Sequence, residues 1–452
     1  MRGKALLLQG PMGPFFRWLA TELMAEGHEV FKINFNAGDE AFYGLSGAYA
    51  YRGDLASWPE FLANFLREHA IDRIFLFGDC RPYHLAATEV ARREGVAVFV
   101  FEEGYLRPDY VTLEPGGVNA HSSLPRDPFF YREYEPSRLD KPAPAGRVFR
   151  YVAWYATWYA ITSWLGRRRY PKYQHHRELN PFVEAVRWTW SGCRKAAQIV
   201  LDRRVTRCLT GPQAKPFFLV PLQVHCDAQI TRHSPYDSME PFIREVIASF
   251  ARFAPADAWL VFKHHPLDRP YTDFGNLIKQ LVREHKLDGR VHYLHEAYLP
   301  ELLRRARGTV TVNSTVGLSS IHHGTPVKIL GDAVYDIPGL ASTRSLDTFW
   351  SKPGEVDREL YLAFRRYLVR NVLGNGNFYR RVRKDKGATG VSWPFGSISA
   401  ASDPARCRSS EAVVPEMPKL GQPLPPLEAA AERGRVGVVA DGALAAVAEV
   451  EG

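Results

Sequence analysis

Short runs of almost wholly apolar residues, each followed by a turn and then by helical spacing, recur through most of this 452-residue chain. Residues 73–77, 96–101 and 217–222 contain hardly a polar side chain, as strands do when helices cover both faces of a sheet. Between such runs the apolar residues fall three and four apart, as in Phe16, Leu19, Ala20 and Leu23, and Gly27 and Gly95 stand where helix caps are needed. Strand alternating with helix predicts a parallel, doubly wound sheet.

The alternation occurs twice. Strands are predicted at 5–8, 30–35, 73–77 and 96–101, and again at 217–222, 259–262, 291–294, 309–312 and 327–330. The chain is too long for one hydrophobic core, so the fold class is α/β, GT-B-like: two Rossmann-type parallel-sheet domains with a helical basic insertion. The expected boundaries are an N-terminal domain over 1–130, an aromatic and basic insertion or interdomain element over 131–212, and a C-terminal domain over 213–383. The remainder, 384–452, is rich in Ala, Gly, Pro, Ser and Glu and is expected to be a disordered tail.

Five scattered cysteines with no C-x-x-C pair indicate neither a disulfide framework nor a zinc site. No D-x-D triplet, phosphate-binding lysine loop or complete G-x-G-x-x-G occurs, so no metal or cofactor is expected and ATPase and dehydrogenase classes are unsupported. The pair His175-His176 has no nearby acids. No apolar run reaches the length of about twenty needed to cross a bilayer. The net charge of +9 is exceeded by residues 141–210 alone, where fourteen Lys or Arg face three acids. Anionic lipid or nucleic acid would suit such a surface, but no nucleic-acid motif accompanies it.

Ligands of open α/β sheets collect beyond the carboxyl ends of the strands, and polar residues concentrate there in this chain. Residues 5–8 lead to Gly10, residues 73–77 to Asp79, Cys80, Arg81 and His84, and residues 96–101 to Glu102, Glu103 and Arg107. Adjacent carboxylates raise one another's pKa, which makes Glu102, Glu103 or Asp79 a candidate acid, base or nucleophile. A salt bridge from Glu102 to Arg107 or Arg81 is the plainer alternative. In the second half, Gln223, Asp227, Gln229, His233 and Ser234 are suited either to hydrogen-bond a base or sugar or to cap the next helix. Lys263-His264-His265-Pro266 closes another strand with cationic and imidazole donors. Asn313-Ser314-Thr315 offers hydroxyls and backbone N–H groups to phosphate at a helix start, though the same residues are ordinary N-caps.

Taken in order, Leu8-Gln9-Gly10-Pro11, Phe77-Gly78-Asp79-Cys80-Arg81-Pro82-Tyr83-His84, Phe101-Glu102-Glu103-Gly104-Tyr105-Leu106-Arg107-Pro108, Pro221-Leu222-Gln223-Val224, Gln229-Ile230, His233-Ser234, Lys263-His264-His265-Pro266 and Asn313-Ser314-Thr315-Val316-Gly317 resemble the KpsS/LipB-type capsule polysaccharide proteins, a family of β-Kdo glycosyltransferases. The resemblance implies a metal-independent enzyme that transfers Kdo from CMP-β-Kdo to a phosphatidylglycerol-type lipid with retention, initiating the poly-Kdo linker of capsular polysaccharide. It implies a cytoplasmic protein, peripheral on the inner membrane and working beside other capsule assembly enzymes.

Under that resemblance Glu103 is the expected nucleophile. Relatives more often carry Asp there, which keeps Asp79 in competition, with Glu102 beside it and Asp79 or His84 as base. The expected donor-binding set is Gln223, Gln229, Lys263, His264, His265, Pro266, Asn313, Ser314 and Thr315. Gly10, Arg81, Arg107, His233 and Ser234 are expected around the sugar or acceptor. Trp154 and Trp158, with Arg147, Arg150, Arg167, Arg168 and Arg169, describe a lipid-facing interfacial helix or a helix packed on the protein's own core. Two other classes share part of the pattern: a non-catalytic accessory protein of capsule assembly or export, and a GT-B sugar-nucleotide epimerase.

Overall fold

The computed structural model describes residues 3–134, 138–173, 181–212, 214–225 and 228–410. The apolar runs pair into two sheets. The first half supplies β1 (Lys4–Leu7), β2 (Glu29–Asn34), β3 (Ala48–Ala50), β4 (Arg73–Phe77), β5 (Ala97–Glu103) and β6 (Tyr110–Pro115). The second supplies β7 (Phe217–Pro221), β8 (Trp259–Lys263), β9 (Val291–Leu294), β10 (Gly308–Thr311) and β11 (Val327–Ile329), and a last strand, β12 (Leu373–Asn375), follows.

The second sheet is parallel throughout, in the order β11-β10-β7-β8-β9, with Pro221 beside Lys263. The first has the order β12-β6-β5-β4-β1-β2-β3 and is parallel from β5 to β3. In each sheet the order reverses once, between β1 and β4 and between β7 and β10, which sets a ligand-binding crevice beyond those strand ends. The GT-B-like reading therefore holds, with one correction. The first sheet is mixed, because β6 and β12 run antiparallel at its edge. The sequence hid β6 since its polar Thr112 and Glu114 are fully buried, so it lacks the apolar run of its neighbours.

The domain boundaries also change. After the helix Arg358–Asn371, β12 pairs with β6 of the first sheet rather than closing the second domain. The following residues stay with the first half: Phe378, Tyr379, Val391, Trp393, Ile398 and Ala401 join the core built by Phe15, Leu19, Phe77 and Phe101. Buried Glu22 anchors the return, accepting from Thr389 N at 2.8 Å, Thr389 Oγ1 at 2.7 Å and Trp393 Nε1 at 2.6 Å. The expected tail thus begins too early, since residues 384–410 are built into the first domain; composition averages conceal a few well-placed apolar residues. Residues 411–452 of that tail lie outside the described residues. The boundary at 130 is equally blurred. Tyr105, Tyr110, Leu124 and Tyr131 share a core with Leu318, Ile329, Phe364 and Leu368, which joins the two halves.

Two long helices among the described residues of 131–212 pack one on each half. The aromatic helix Phe149–Leu165 buries Val152, Tyr159 and Ser163. It lies against the helix Ala37–Tyr43, where a Cβ on Gly38 would sit 2.6 Å from Ser163 Oγ. The long helix Pro181–Thr210 packs on the second half, placing Leu209 among Leu302 and Leu303. Its buried Asp202 accepts from the backbone N–H groups of His295 and Glu296, both at 2.7 Å. No helix among the described residues is long and apolar enough to cross a membrane.

Candidate active site

Both topological reversals are bridged by side chains from the predicted set. In the first half, Arg81 donates to Gln9 Oε1 at 3.0 Å and to the Gly10 carbonyl at 3.4 Å, linking the loops after β4 and β1. Gln9 Nε2 in turn donates to the hydroxyls of Tyr159 and Tyr173, both at 3.0 Å. Tyr159 also donates to Asp39 Oδ1 at 3.0 Å. The aromatic helix therefore buttresses the loop carrying Gly10 and Arg81, a link the sequence could not supply. In the second half Gln223 and Asn313 join the loops after β7 and β10. Gln223 Nε2 donates to Asn313 Oδ1 at 3.0 Å, and Asn313 N donates to Gln223 Oε1 at 3.3 Å.

The carboxylates after β5 differ in setting. Glu103 is 3% exposed, and its Oε1 accepts from the Tyr379 hydroxyl at 3.2 Å. That tyrosine arrives on the returning C-terminal segment. Glu102 is only partly buried and its Oε1 accepts from Glu103 N at 2.9 Å. Asp79 is buried and well bonded: Oδ2 accepts from Val118 N at 3.1 Å and faces His121 Nδ1 at 3.0 Å, while Cys80 Sγ lies 3.3 Å from Oδ1. Burial pushes the Asp79 carboxyl upward, but the bond and charge of His121, the Val118 amide and the His233 charge outweigh it, and the net shift is downward. His84, expected as a base, is fully buried with Nδ1 2.6 Å from the Gly78 carbonyl. It holds the turn after β4.

Beyond β8, three neighbouring residues take different parts. Lys263 is buried, and burial lowers it to about 8. Its ammonium donates to the carbonyls of His264 at 3.1 Å and His295 at 2.8 Å, so it ties two strand ends together. His264 is also buried, with Nδ1 2.6 Å from the Tyr293 hydroxyl and its ring 4.7 Å from that of His295. Both were expected on the donor; both line the cavity beyond β8 with His265, Pro266, Glu296 and Val316, while their own hydrogen bonds brace the strand ends. His265 is half-buried and its Nδ1 accepts from Leu267 N at 3.2 Å. Burial lowers its imidazole to about 4, with Asp268 opposing and Lys263, Arg107 and Arg269 contributing. The ring is therefore neutral near pH 7, and with Nδ1 accepting, its proton resides on Nε2. Pro266 opens the turn that follows and fixes it. The charge of Arg107, from the loop after β5, contributes to the lowering of His265.

Other predicted residues serve the loop itself. Ser234 donates to the Ile230 carbonyl at 2.6 Å and accepts from Tyr236 N at 3.2 Å, which is turn-forming, not sugar-binding, geometry. Ser314 accepts from Val316 N at 3.2 Å, and Thr315 is the N-cap of the short helix Val316–His322. His233 is buried with its carbonyl accepting from Asn313 Nδ2 at 3.2 Å and its Nε2 3.1 Å from Cys80 Sγ. The Gln229 side chain, Asp227 and the His175-His176 pair lie outside the described residues.

Sequence reasoning missed His121, Tyr379, Tyr105 and Glu114. Tyr105 donates to Glu114 Oε1 at 2.6 Å and accepts from Asn119 N at 2.8 Å, shaping the loop that carries His121.

With this geometry in view, the comparisons are specific. The chain matches the family model of capsule polysaccharide biosynthesis proteins over residues 72–379. It belongs to that family. Relatives include the capsule polysaccharide modification protein LipB of Neisseria meningitidis, 41% identical over 384 residues, covering 83% of this chain and 92% of LipB. The capsule polysaccharide export protein KpsS of Escherichia coli is 40% identical over 381 residues, covering 83% of this chain and 97% of KpsS. A solved structure with similarity is the β-Kdo 2,7 transferase of Thermosulfurimonas dismutans KpsC, at 16% identity and a TM-score of 0.38, covering 80% of this chain and 89% of that one. The match spans the loops from Asp79 to Tyr379.

Proposed function

We propose that this protein is a retaining glycosyltransferase that moves Kdo from CMP-β-Kdo to a phosphatidylglycerol-type lipid, initiating the poly-Kdo linker of capsule. The observation that carries the reading is the meeting of strand-end loops from the two halves: Cys80 Sγ, after β4, lies 3.1 Å from His233 Nε2 of the opposite half. An anionic sugar nucleotide bound between them would have its phosphate against Arg107 and the Nε2–H of His265.

In this reading the Glu103 carboxylate adds to the anomeric carbon of Kdo as the bond from that carbon to the CMP phosphate oxygen breaks. CMP leaves as the phosphate anion, stabilised by His265 and Arg107. The lipid hydroxyl then displaces Glu103 and passes its proton to Glu102, the more exposed carboxylate. Two inversions at one carbon give net retention. Tyr379 orients Glu103 and partly offsets its charge until attack.

The lipid acceptor fits the outer face of the region 131–212. Trp154 and Trp158 are 63% and 43% exposed and stack with centroids 6.3 Å apart. Arg147, Arg150, Arg167, Arg168 and Arg169 are exposed around them, with Arg169 also paired to Glu40 at 2.6 Å. Aromatics at headgroup depth with arginines against phosphate are an interfacial arrangement, and the inner-membrane surface is the proposed location.

Incubation with CMP-Kdo and a fluorescent phosphatidylglycerol, with product mass as readout, tests the reaction. Glu103→Gln is expected to lower turnover by about 10³-fold or more. Full activity in that variant, or absence of any Kdo-lipid product from the wild type, overturns the proposal.

A further inference from the structure

We propose that Asp79, Cys80, His121 and His233 form a binding site for one zinc ion that ties the first half of the protein to the second. Their donor atoms all lie within 4.8 Å of one another. Cys80 Sγ stands 3.1 Å from His233 Nε2 and 3.3 Å from Asp79 Oδ1, and Asp79 Oδ2 stands 3.0 Å from His121 Nδ1. The two imidazole rings cross nearly edge-on with centroids 4.5 Å apart. Zinc bonds of about 2.0–2.3 Å in a tetrahedron place neighbouring donors about 3.3–3.8 Å apart, so the wider separations must close by about 1 Å to bring these four onto one centre.

The donor types select the ion. One thiolate, two imidazoles and one carboxylate match zinc, whereas magnesium and calcium take oxygen ligands almost exclusively. The thiolate and carboxylate together carry two negative charges, which balance a dication and leave the site neutral where Asp79 and His233 are buried. Ligands of structural zinc sites are held by outer hydrogen bonds. Here Val118 N donates to Asp79 Oδ2 at 3.1 Å, and the His233 carbonyl accepts from Asn313 Nδ2 at 3.2 Å and Asp332 N at 2.8 Å.

The placement gives the ion its role. Asp79 and Cys80 follow β4, His121 lies after β6, and His233 belongs to the second half, between β7 and β8. Three ligands come from one side of the cleft and one from the other. Through Asn313, the same His233 loop reaches Gln223 and the crevice of the second sheet. Asp79 thus has a task other than nucleophilic attack. The inference goes beyond the transferase reading, and metal content can be measured whether or not CMP-Kdo is a substrate.

Elemental analysis of untagged, full-length protein loaded with zinc and dialysed tests it. The expected result is one zinc per chain in the wild type and in a Cys193→Ser, Cys208→Ser control. His233→Ala and Cys80→Ser should retain less than about a tenth of that. Cobalt titration of the zinc-free wild type provides a measure that needs no variant to fold: a thiolate-to-cobalt charge-transfer band is expected, saturating at one equivalent. Chelation should lower the wild-type unfolding temperature and leave that of His233→Ala unchanged. Wild-type protein that keeps no zinc and shows no cobalt–thiolate band, or a His233→Ala variant that keeps its zinc in full, overturns the site.

Discussion

A Cβ on Gly104 would stand 2.1 Å from the Tyr110 carbonyl oxygen. The backbone of the β5–β6 turn passes so close there that no side chain fits, and Glu103 is the adjacent residue. Gly104→Ala should therefore shift the turn and cut turnover at least about tenfold by misplacing the carboxylate, with circular dichroism reporting a folded protein. Glu114 makes a prediction of a different kind. Burial raises its carboxyl to about 7 despite bonds from Ser122 and Tyr105 and the charge of Arg126, with Asp79 adding to the rise. The folded chain keeps this proton over a range in which the unfolded chain, ionising near about 4.3, has lost it. Its contribution is fully present below about pH 4 and falls as pH rises to about 7, by about 4 kcal/mol in all. Glu114→Gln should remove that decline, as denaturant titrations at several pH values would show; an unchanged slope rules the assignment out. Single residues such as Glu103 and His265 were legible because they end apolar strands. The Tyr379 that bonds Glu103 was not, since nothing local in the sequence states which distant segment will face it.

At the scale of elements, the alternation of apolar runs with helical spacing located nearly every parallel strand, because strands covered on both faces lack polar residues. It failed for β3, β6 and β12, the two outer strands and the polar strand beside β12, whose positions depend on pairing and not on periodicity. The aromatic helix Phe149–Leu165 shows why one pattern left two meanings open: one face holds Tyr159 against Asp39 and Gln9, while the other exposes Trp154 and Trp158. The long helix Pro181–Thr210 also exposes Val186, Trp190 and Val200, by 71%, 64% and 72%. Changing Trp154 and Trp158 together to Ser should weaken co-sedimentation with anionic liposomes about tenfold or more and leave the unfolding temperature nearly unchanged. Equal binding with and without anionic lipid would count against an electrostatic share.

At the scale of the molecule, the sequence announced two halves but not that the chain crosses back. Residues 384–410 contribute Val391, Trp393, Ile398 and Ala401 to the first core, so a chain ending at 383 should be strongly destabilised, while one ending at 410 keeps every contact described above. Losing Trp393 alone should cost about 3–5 kcal/mol, measurable by thermal unfolding of Trp393→Ala. The return has a consequence for biosynthesis. On the ribosome the front sheet cannot receive its border strand until the rear sheet has already been translated, so the portion made first is finished last. A nascent polypeptide halted near residue 212 should therefore remain protease-sensitive and dependent on chaperones, while the rear portion, once emerged, acts as the template on which the front is closed.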